Sequence, residues 1–196
     1  MWPWEHVIVG YVVYSLFSHL VYREGPSGGV ALAVVFASLL PDLIDKPLAW
    51  QFGLFPGGYS IGHSVFVAVP LSILVGVLAH RYGRPRVGLA FGVGYLLHLP
   101  SDLLPTYVRE GWVPYERVLW PLEQAEGEHG HGLLEGFLGT AIPYAYQIVT
   151  LDLSPYLLFQ LGLMGCAVLL WVYDGMPILR EAVVGTHRRV AGSEGH

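Results

Sequence analysis

The sequence predicts an all-α fold, a multi-pass transmembrane helical bundle of about five to six helices. Its 196 residues include 10 Lys and Arg and 15 Asp and Glu, so 13% are charged and 54% are hydrophobic. Soluble domains carry about 25% charged residues. With this composition, a water-soluble domain of the same length would have too few ionic groups to cover its surface. Composition therefore indicates a membrane protein with a membrane-embedded core.

The positions of the charged residues locate the predicted helices. Long stretches contain no Asp, Glu, Lys or Arg, and runs of about 17–25 apolar residues suffice to cross about 30 Å of hydrocarbon. The predicted helices cover 7–22, 28–44, 62–80, 87–104, 133–150 and 155–173. A soluble bundle with unusually apolar helices is the alternative interpretation.

Polar and Gly/Pro-rich connections separate these segments. A tight polar turn is expected at 23–29, a Gly/Pro loop at 52–62 and a short basic turn at 81–86. The longest connection, 106–132, is predicted to be a polar lid or surface loop, and 176–196 a polar C-terminal tail. Residues 1–5 lack a basic region, so the first segment is expected to stay in the mature chain. We expect one membrane-embedded domain over 1–196.

Several classes of protein are disfavoured by composition and missing motifs. The net charge is −5 and no basic run exceeds two adjacent residues, so nucleic acid binding is not expected. Cys166 is alone, which excludes a disulfide scaffold. The chain has no HExxH, GxSxG or Walker motif, so nucleophilic catalysis by Ser or Cys is not expected.

Ionisable residues occur at the ends of the first four segments, and all fall on one predicted side. His6 opens the first segment, Asp42 and Asp45 close the second, His63 opens the third, and His98 and Asp102 close the fourth. With alternating crossings, these ends share one membrane face. Histidine and aspartate are common ligands of zinc and similar metals. The pattern predicts a His/Asp metal cluster at that face.

The local spacing supports this cluster. His98 and Asp102 are four residues apart, so both side chains leave one face of a helix. Asp42 and Asp45 are three residues apart and share a face if the turn is helical. An ionisable group at membrane depth costs several kcal/mol unless it is paired, metal-bound or hydrated. One metal ion would satisfy these groups together.

A second candidate pair lies on the same predicted face. His131 and Glu135 are four residues apart at the start of the fifth segment. They are candidate metal ligands by spacing. The alternative is a Gly- and His-containing loop followed by a glutamate that favours the positive end of the helix dipole.

The order of these motifs resembles the YdjM-like membrane-bound metal-dependent hydrolase family. The resemblance rests on His6, LLPDLIDKP, the GHS of His63 and LHLPSD, within about 6–121. The same pattern is distantly similar to that of zinc-dependent phospholipases C and single-strand nucleases. In that comparison, His131-x3-Glu135 of this chain looks like a zinc-binding HxxxE motif. The acidic motif here is PDxxD and not PDxD, so Asp42 and Asp45 both remain candidates. Gly58 and Tyr59 stand where many relatives have a His-Arg pair.

These patterns predict a hydrolase of the cell membrane that uses a divalent metal and a metal-activated water, and the resemblance implies a prokaryotic protein. Zn²⁺ is the expected ion. The resemblance implies a phosphoester substrate, such as that of a phospholipid in the bilayer. In this picture His63, His98, Asp102 and one of Asp42 and Asp45 hold the main metal, and His6 joins a neighbouring metal. The spare aspartate would be a general base or support a ligand, and Lys46 would steady an oxyanion. The alternatives are a transporter or ion relay using the same cluster, and a non-catalytic membrane partner protein.

Overall fold

The protein is all-α in the computed structural model, which describes residues 2–127, 132–150 and 154–183 and has no β-strand within them. The helices are α1 (Pro3–Val21), α2 (Gly28–Lys46), α3 (Val65–Arg81), α4 (Pro85–Glu110), α5 (Leu133–Val149) and α6 (Pro155–Tyr173). A π-helical turn, Pro47–Gln51, continues α2, and a 3-10 turn, Tyr115–Arg117, follows α4. Each predicted segment corresponds to one helix, so the predicted fold class is confirmed.

Proline, serine and glycine define the helix ends. Proline occupies the start of α1, α4 and α6, where its missing N–H has no helical partner to lose. The Ser64 side chain caps α3 by accepting from Phe66 N at 3.2 Å. Helix α4 continues through Pro105 and ends at Gly111, whose φ of 77° suits glycine. The connection predicted from 106 therefore begins five residues later than the sequence indicated.

Three of the described helical segments are long and apolar enough to cross a membrane. They are Gly28–Gln51, Pro85–Glu110 and Pro155–Tyr173, while α3 is apolar but shorter. Large apolar side chains face outward, including Phe159 at 64% and Leu169 at 71% exposure on α6. Hydrocarbon is a favourable environment for such a surface, and the buried interior carries the polar groups. The distribution agrees with a membrane location.

Helix α4 is central and packs against α1, α2 and α3. It meets α2 closely because Gly94 has no side chain. A Cβ there would lie 2.6 Å from Val34 O. Gly10 of α1 fits in the same way, since its Cβ would lie 2.4 Å from Ser38 Oγ. Small residues allow this close backbone approach in lipid. The contact brings Ser38 of α2 beside the turn of α4 that follows Gly94.

One end of α6 is joined to α1 by a buried carboxylate. Glu5 accepts hydrogen bonds from Gln160 Nε2 at 2.6 Å and from Tyr156 Oη at 3.0 Å. Its other oxygen accepts from Trp2 N at 2.6 Å. Glu5 is 3% exposed, and these donors satisfy its charge away from water.

The other end of α6 is joined to α1 by Asp174. Its carboxylate accepts from Tyr11 at 2.6 Å and Ser15 at 2.7 Å, and lies 2.7 Å from His19 Nε2. Residues 177–183 are helical, and Glu181 accepts from Gly28 N at 2.7 Å. The start of the predicted polar tail is therefore packed on α2. The rest of it, 184–196, lies outside the described residues.

Candidate metal centre

Four buried residues from three parts of the chain converge between the C-terminal part of α2, the loop before α3 and the middle of α4. They are Asp42, His63, His98 and Asp102, and one ligand atom of each lies within 4.8 Å of the others. Asp42 belongs to α2, His63 to the loop before α3, and the other two to α4. Because α4 extends to Glu110, His98 and Asp102 lie within this helix and not at its end, where the sequence placed them. The HxxxD spacing places His98 and Asp102 on one face, as predicted, and α4 remains helical through Pro100.

The distances between the donor atoms suit a small divalent ion. His63 Nε2 lies 3.0 Å from His98 Nε2, 3.3 Å from Asp102 Oδ2 and 3.5 Å from Asp42 Oδ1. His98 Nε2 lies 3.3 Å from Asp102 Oδ2 and 3.9 Å from Asp42 Oδ1. Donors on a tetrahedral zinc with bonds of about 2.0 Å are about 3.3 Å apart. Five of the six distances lie between 3.0 and 3.9 Å, close to this spacing.

Both histidines are held in one tautomer from behind. His98 Nδ1 lies 2.7 Å from Ser38 O, and His63 Nδ1 lies 2.8 Å from Asp45 Oδ2. Both partners only accept, so each Nδ1 carries a proton and Nε2 is the ring nitrogen that faces the cluster. The two Nε2 atoms lie 3.0 Å apart. A proton or a metal cation between them removes the repulsion of their lone pairs.

The two carboxylates are also held through the oxygen that faces away from the cluster. Asp42 Oδ2 pairs with Lys46 Nζ at 2.7 Å. Asp102 Oδ1 lies 3.2 Å from His6 Nε2, and the His6 ring stacks on His98 with centroids 3.7 Å apart. Neither ring nitrogen of His6 makes a directed hydrogen bond within the described residues. Such outer contacts orient metal ligands and tune them.

Asp45 stands behind the cluster and is not one of the four converging residues. It is fully buried and accepts from the backbone N–H groups of Ser60 at 2.7 Å, Gly62 at 2.8 Å and His63 at 3.0 Å. It also accepts from His63 Nδ1. Of the two aspartates that the sequence left open, Asp42 therefore presents an oxygen to the cluster. Asp45 holds the loop and the His63 ring.

The cluster favours a positive charge at His63. Burial lowers the pKa of His63, but hydrogen bonds with Asp102, Asp42 and Asp45 outweigh burial and raise this pKa to about 10. The same carboxylates that attract a proton to His63 Nε2 would attract a divalent cation to it.

Tyr59 and Arg117 form a wall beside the cluster, and the sequence singled out neither as a site residue. The Tyr59 ring stands edge-on to His63 at 4.8 Å, and the Arg117 guanidinium lies 5.2 Å from the Tyr59 ring centroid. Burial raises the pKa of Tyr59 and the charge of Asp102 raises it further, although Arg117 opposes this. The hydroxyl therefore stays protonated. Because Arg117 is 15 residues from Asp102 across a turn, no spacing rule indicates their contact.

The other predicted site residues have different surroundings. Lys46 pairs with Asp42 and lies 5.7 Å from the Trp50 ring, so its charge supports a candidate ligand. Glu135 is exposed in the first turn of α5 and is not among the four grouped residues. His131 lies outside the described residues, so the His131 and Glu135 pair remains a prediction.

Comparison with known families identifies the chain. A protein-family model described as YdjM inner membrane protein matches residues 1–177. Comparisons with curated proteins and with solved structures found no match. The matched range contains the whole four-residue cluster and helices α1 to α6. The chain therefore belongs to the YdjM inner membrane protein family.

Proposed function

We propose that this membrane protein is a metal-dependent hydrolase that binds zinc at Asp42, His63, His98 and Asp102 and cleaves a phosphoester. The observation that carries the proposal is the pair of imidazole Nε2 atoms 3.0 Å apart, both with Nδ1 committed as a donor. Two carboxylate oxygens complete the group. One divalent ion would satisfy all four donors at once.

The donor set favours zinc over harder ions. Two imidazole nitrogens and two carboxylate oxygens are typical of zinc, whereas magnesium and calcium prefer oxygen ligands alone. Each of the four side chains is buried and braced by a second contact. Bracing of this kind keeps ligands preorganised in a site that must bind metal tightly.

The residues around the proposed metal site would have different roles. A bound zinc ion supplies Lewis-acid activation of water and of the scissile group. Asp45 has four hydrogen-bond donors around its carboxylate, which favours a positioning role over that of a general base. Lys46 has its charge on Asp42, so its first role is to orient a ligand. This differs from the oxyanion role expected for Lys46.

A phosphoester is the proposed substrate because of the resemblance and the location of the cluster. His63 lies in the loop before α3 and Asp42 near the end of α2, so a polar headgroup would reach the cluster from the side of this loop. Arg117 stands beside the cluster, and the planar guanidinium of arginine is well suited to two-point contact with a phosphate.

Metal analysis of detergent-purified protein tests the metal site first. We expect about one zinc per chain in the unmodified protein and loss of zinc in His98→Ala and Asp102→Ala. His80→Ala is the matched control, since His80 is exposed in the last turn of α3. An unmodified protein without a bound divalent metal would contradict the site.

Hydrolysis is tested separately with zinc-loaded protein. Phosphomonoester, phosphodiester and phospholipid substrates are compared, and the expected result is turnover of at least one class that disappears in His98→Ala. Zinc binding with no turnover of any ester would leave the metal centre standing and remove the enzyme.

An ion or proton relay is the second candidate function. Helix α1 carries His6 at the cluster and also Tyr11 and Ser15, which bond to the buried Asp174 near the other end of the helix. Polar groups along one helix are a feature of relays. Reconstituted liposomes distinguish the two functions. Proton or zinc flux that stops in both Asp102→Asn and Asp174→Asn, without ester hydrolysis, would favour the relay.

A further inference from the structure

A cavity of about 390 Å³ lies against the Tyr59 and Arg117 wall. Its lining consists of Tyr59, Glu116, Arg117, Gln124, Ala125 and Glu126. The volume falls within the range of small-molecule sites. The lining is mostly polar, so the cavity fits a hydrophilic group and not an acyl chain.

Arg117 is anchored next to a candidate metal ligand. Its Nη1 donates to Asp102 O at 3.1 Å and to Thr106 Oγ1 at 3.2 Å, both on α4. The guanidinium also lies over the Tyr59 ring, whose edge faces His63. The cavity wall and the metal centre are therefore connected through one aromatic ring and one turn of helix.

The remaining edge of the guanidinium is available to a ligand. Within the described residues, Nε and Nη2 of Arg117 make no hydrogen bond, and no carboxylate lies within 4.0 Å of the group as an ion pair. An arginine fork of this kind matches the geometry of a phosphate in two-point contact. Tyr59 adds a phenol side chain to the same wall.

The acidic part of the lining limits what else the ligand carries. Glu116 and Glu126 line the same cavity as Arg117. A bare anion would be repelled by them, whereas hydroxyl or amine groups would donate to them. The lining therefore suits a phosphate attached to a group with hydrogen-bond donors.

We propose that Arg117 and Tyr59 form the phosphate-binding wall of the substrate pocket, and that Glu116 and Glu126 receive the hydroxyl or amine groups of the same headgroup. This assignment rests on the proposed hydrolase function and deepens it. The shared chemistry is a phosphate ester of a small polar alcohol, either free or as a lipid headgroup.

Calorimetric titration of the full chain in detergent tests the wall, with inorganic phosphate and glycerol 3-phosphate as probes, with and without zinc. Arg117→Gln is expected to lower the affinity for both probes at least tenfold while the zinc content is unchanged. Arg117→Lys keeps the charge without the fork and is expected to recover part of the loss. Equal affinity of Arg117→Gln and the unmodified protein for both probes would overturn the assignment.

Matched variants separate recognition from structural support. Thr106→Val removes a contact of Arg117 but leaves its guanidinium, so phosphate affinity should change less than about twofold even where the melting temperature falls. Glu116→Gln should weaken glycerol 3-phosphate but not inorganic phosphate. If Thr106→Val weakens phosphate as much as Arg117→Gln does, Arg117 is structural and the assignment fails.

The same titrations identify the source of the phosphate and separate the assignment of the wall from the proposed hydrolase function. If dihexanoyl phosphatidic acid binds more tightly than glycerol 3-phosphate, and this binding depends on Arg117, the ligand is a lipid headgroup. If glycerol 3-phosphate binds more tightly, the ligand is a free phosphate ester. Arg117-dependent phosphate binding by a protein that cannot be loaded with zinc would support the wall and contradict the hydrolase. Zinc binding without phosphate binding would contradict the wall and leave the proposed metal centre standing.

Discussion

The carboxylate of Asp45 and the imidazole of His63 form the buried pair that sets the geometry of the metal centre. Asp45 Oδ2 lies 2.8 Å from His63 Nδ1, and both side chains are fully buried. The same carboxylate accepts the backbone N–H groups of Ser60 and Gly62. One residue of α2 therefore fixes the path of the loop and the orientation of a candidate ligand in that loop.

Replacing Asp45 tests its supporting role. Asp45→Asn retains the shape of the side chain but removes the charge behind His63, and its amide has one acceptor oxygen for several donors. We expect zinc affinity to fall about 10- to 100-fold, the range found for outer contacts of metal sites. Competition with a chromogenic chelator measures this loss. Zinc affinity equal to that of the unmodified protein would contradict the role.

Adding a side chain at Gly94, where α2 and α4 are in close contact, should weaken the metal centre although Gly94 is not part of it. A Cβ at Gly94 lies 2.6 Å from Val34 O, so Gly94→Ala forces α2 and α4 apart and moves Ser38 O away from His98. Overpacking of this kind costs about 1–3 kcal/mol, and we expect weaker zinc binding as well. Gly92→Ala is the control on the same helix, because the nearest atom to its Cβ is 3.9 Å away. Thermal unfolding in detergent and zinc content should both distinguish the variants, and equal behaviour would exclude this coupling.

His6 distinguishes one metal ion from two. The structure places it behind Asp102 and stacked on His98, outside the group of four. As a supporting residue, His6→Ala should lower zinc affinity about tenfold with an unchanged ratio of zinc to protein. Measuring zinc per chain at saturation decides the question. A ratio that falls by one ion would show that His6 binds a second metal, as the sequence pattern alone predicts.

Asp174 is expected to matter for stability and not for metal binding. Asp174→Asn weakens the contacts to Tyr11, Ser15 and His19 in a buried position. Hydrogen bonds to charged groups contribute about 1.5–3 kcal/mol each, so a loss of about 2–3 kcal/mol is expected. The melting temperature should fall while zinc content stays constant. Loss of zinc in this variant would show that the two ends of α1 are coupled.

The helices and most of the cluster follow from the sequence because both depend on short-range patterns. Charge-free stretches mark helices that must be apolar to lie in lipid, and the spacing of His98 and Asp102 needs only the period of a helix. Their meeting with Asp42 and His63 follows from alternating crossings.

The undecided features depend on the path of the backbone. Asp42 and Asp45 share one helix face, and only the loop at 60–63 decides which of them the N–H groups engage. Arg117 reaches Asp102 through a main-chain carbonyl, and Ser38 reaches His98 in the same way. Every residue has such a carbonyl, so no residue type in the sequence marks these contacts.

The contacts at the two ends of α6 determine how this helix is held. Helix α6 is mostly exposed, and in lipid an apolar surface gains little from packing on another apolar surface. Glu5 and Asp174 instead set both the rotation of α6 about its axis and its depth relative to α1. Sliding α6 by one turn would separate both buried carboxylates from their hydrogen-bond partners at once. The position of α6 along α1 is therefore fixed at two points and can adjust little to a change in bilayer thickness. Because Glu5 precedes His6, that position also fixes the height at which α1 presents an imidazole to Asp102.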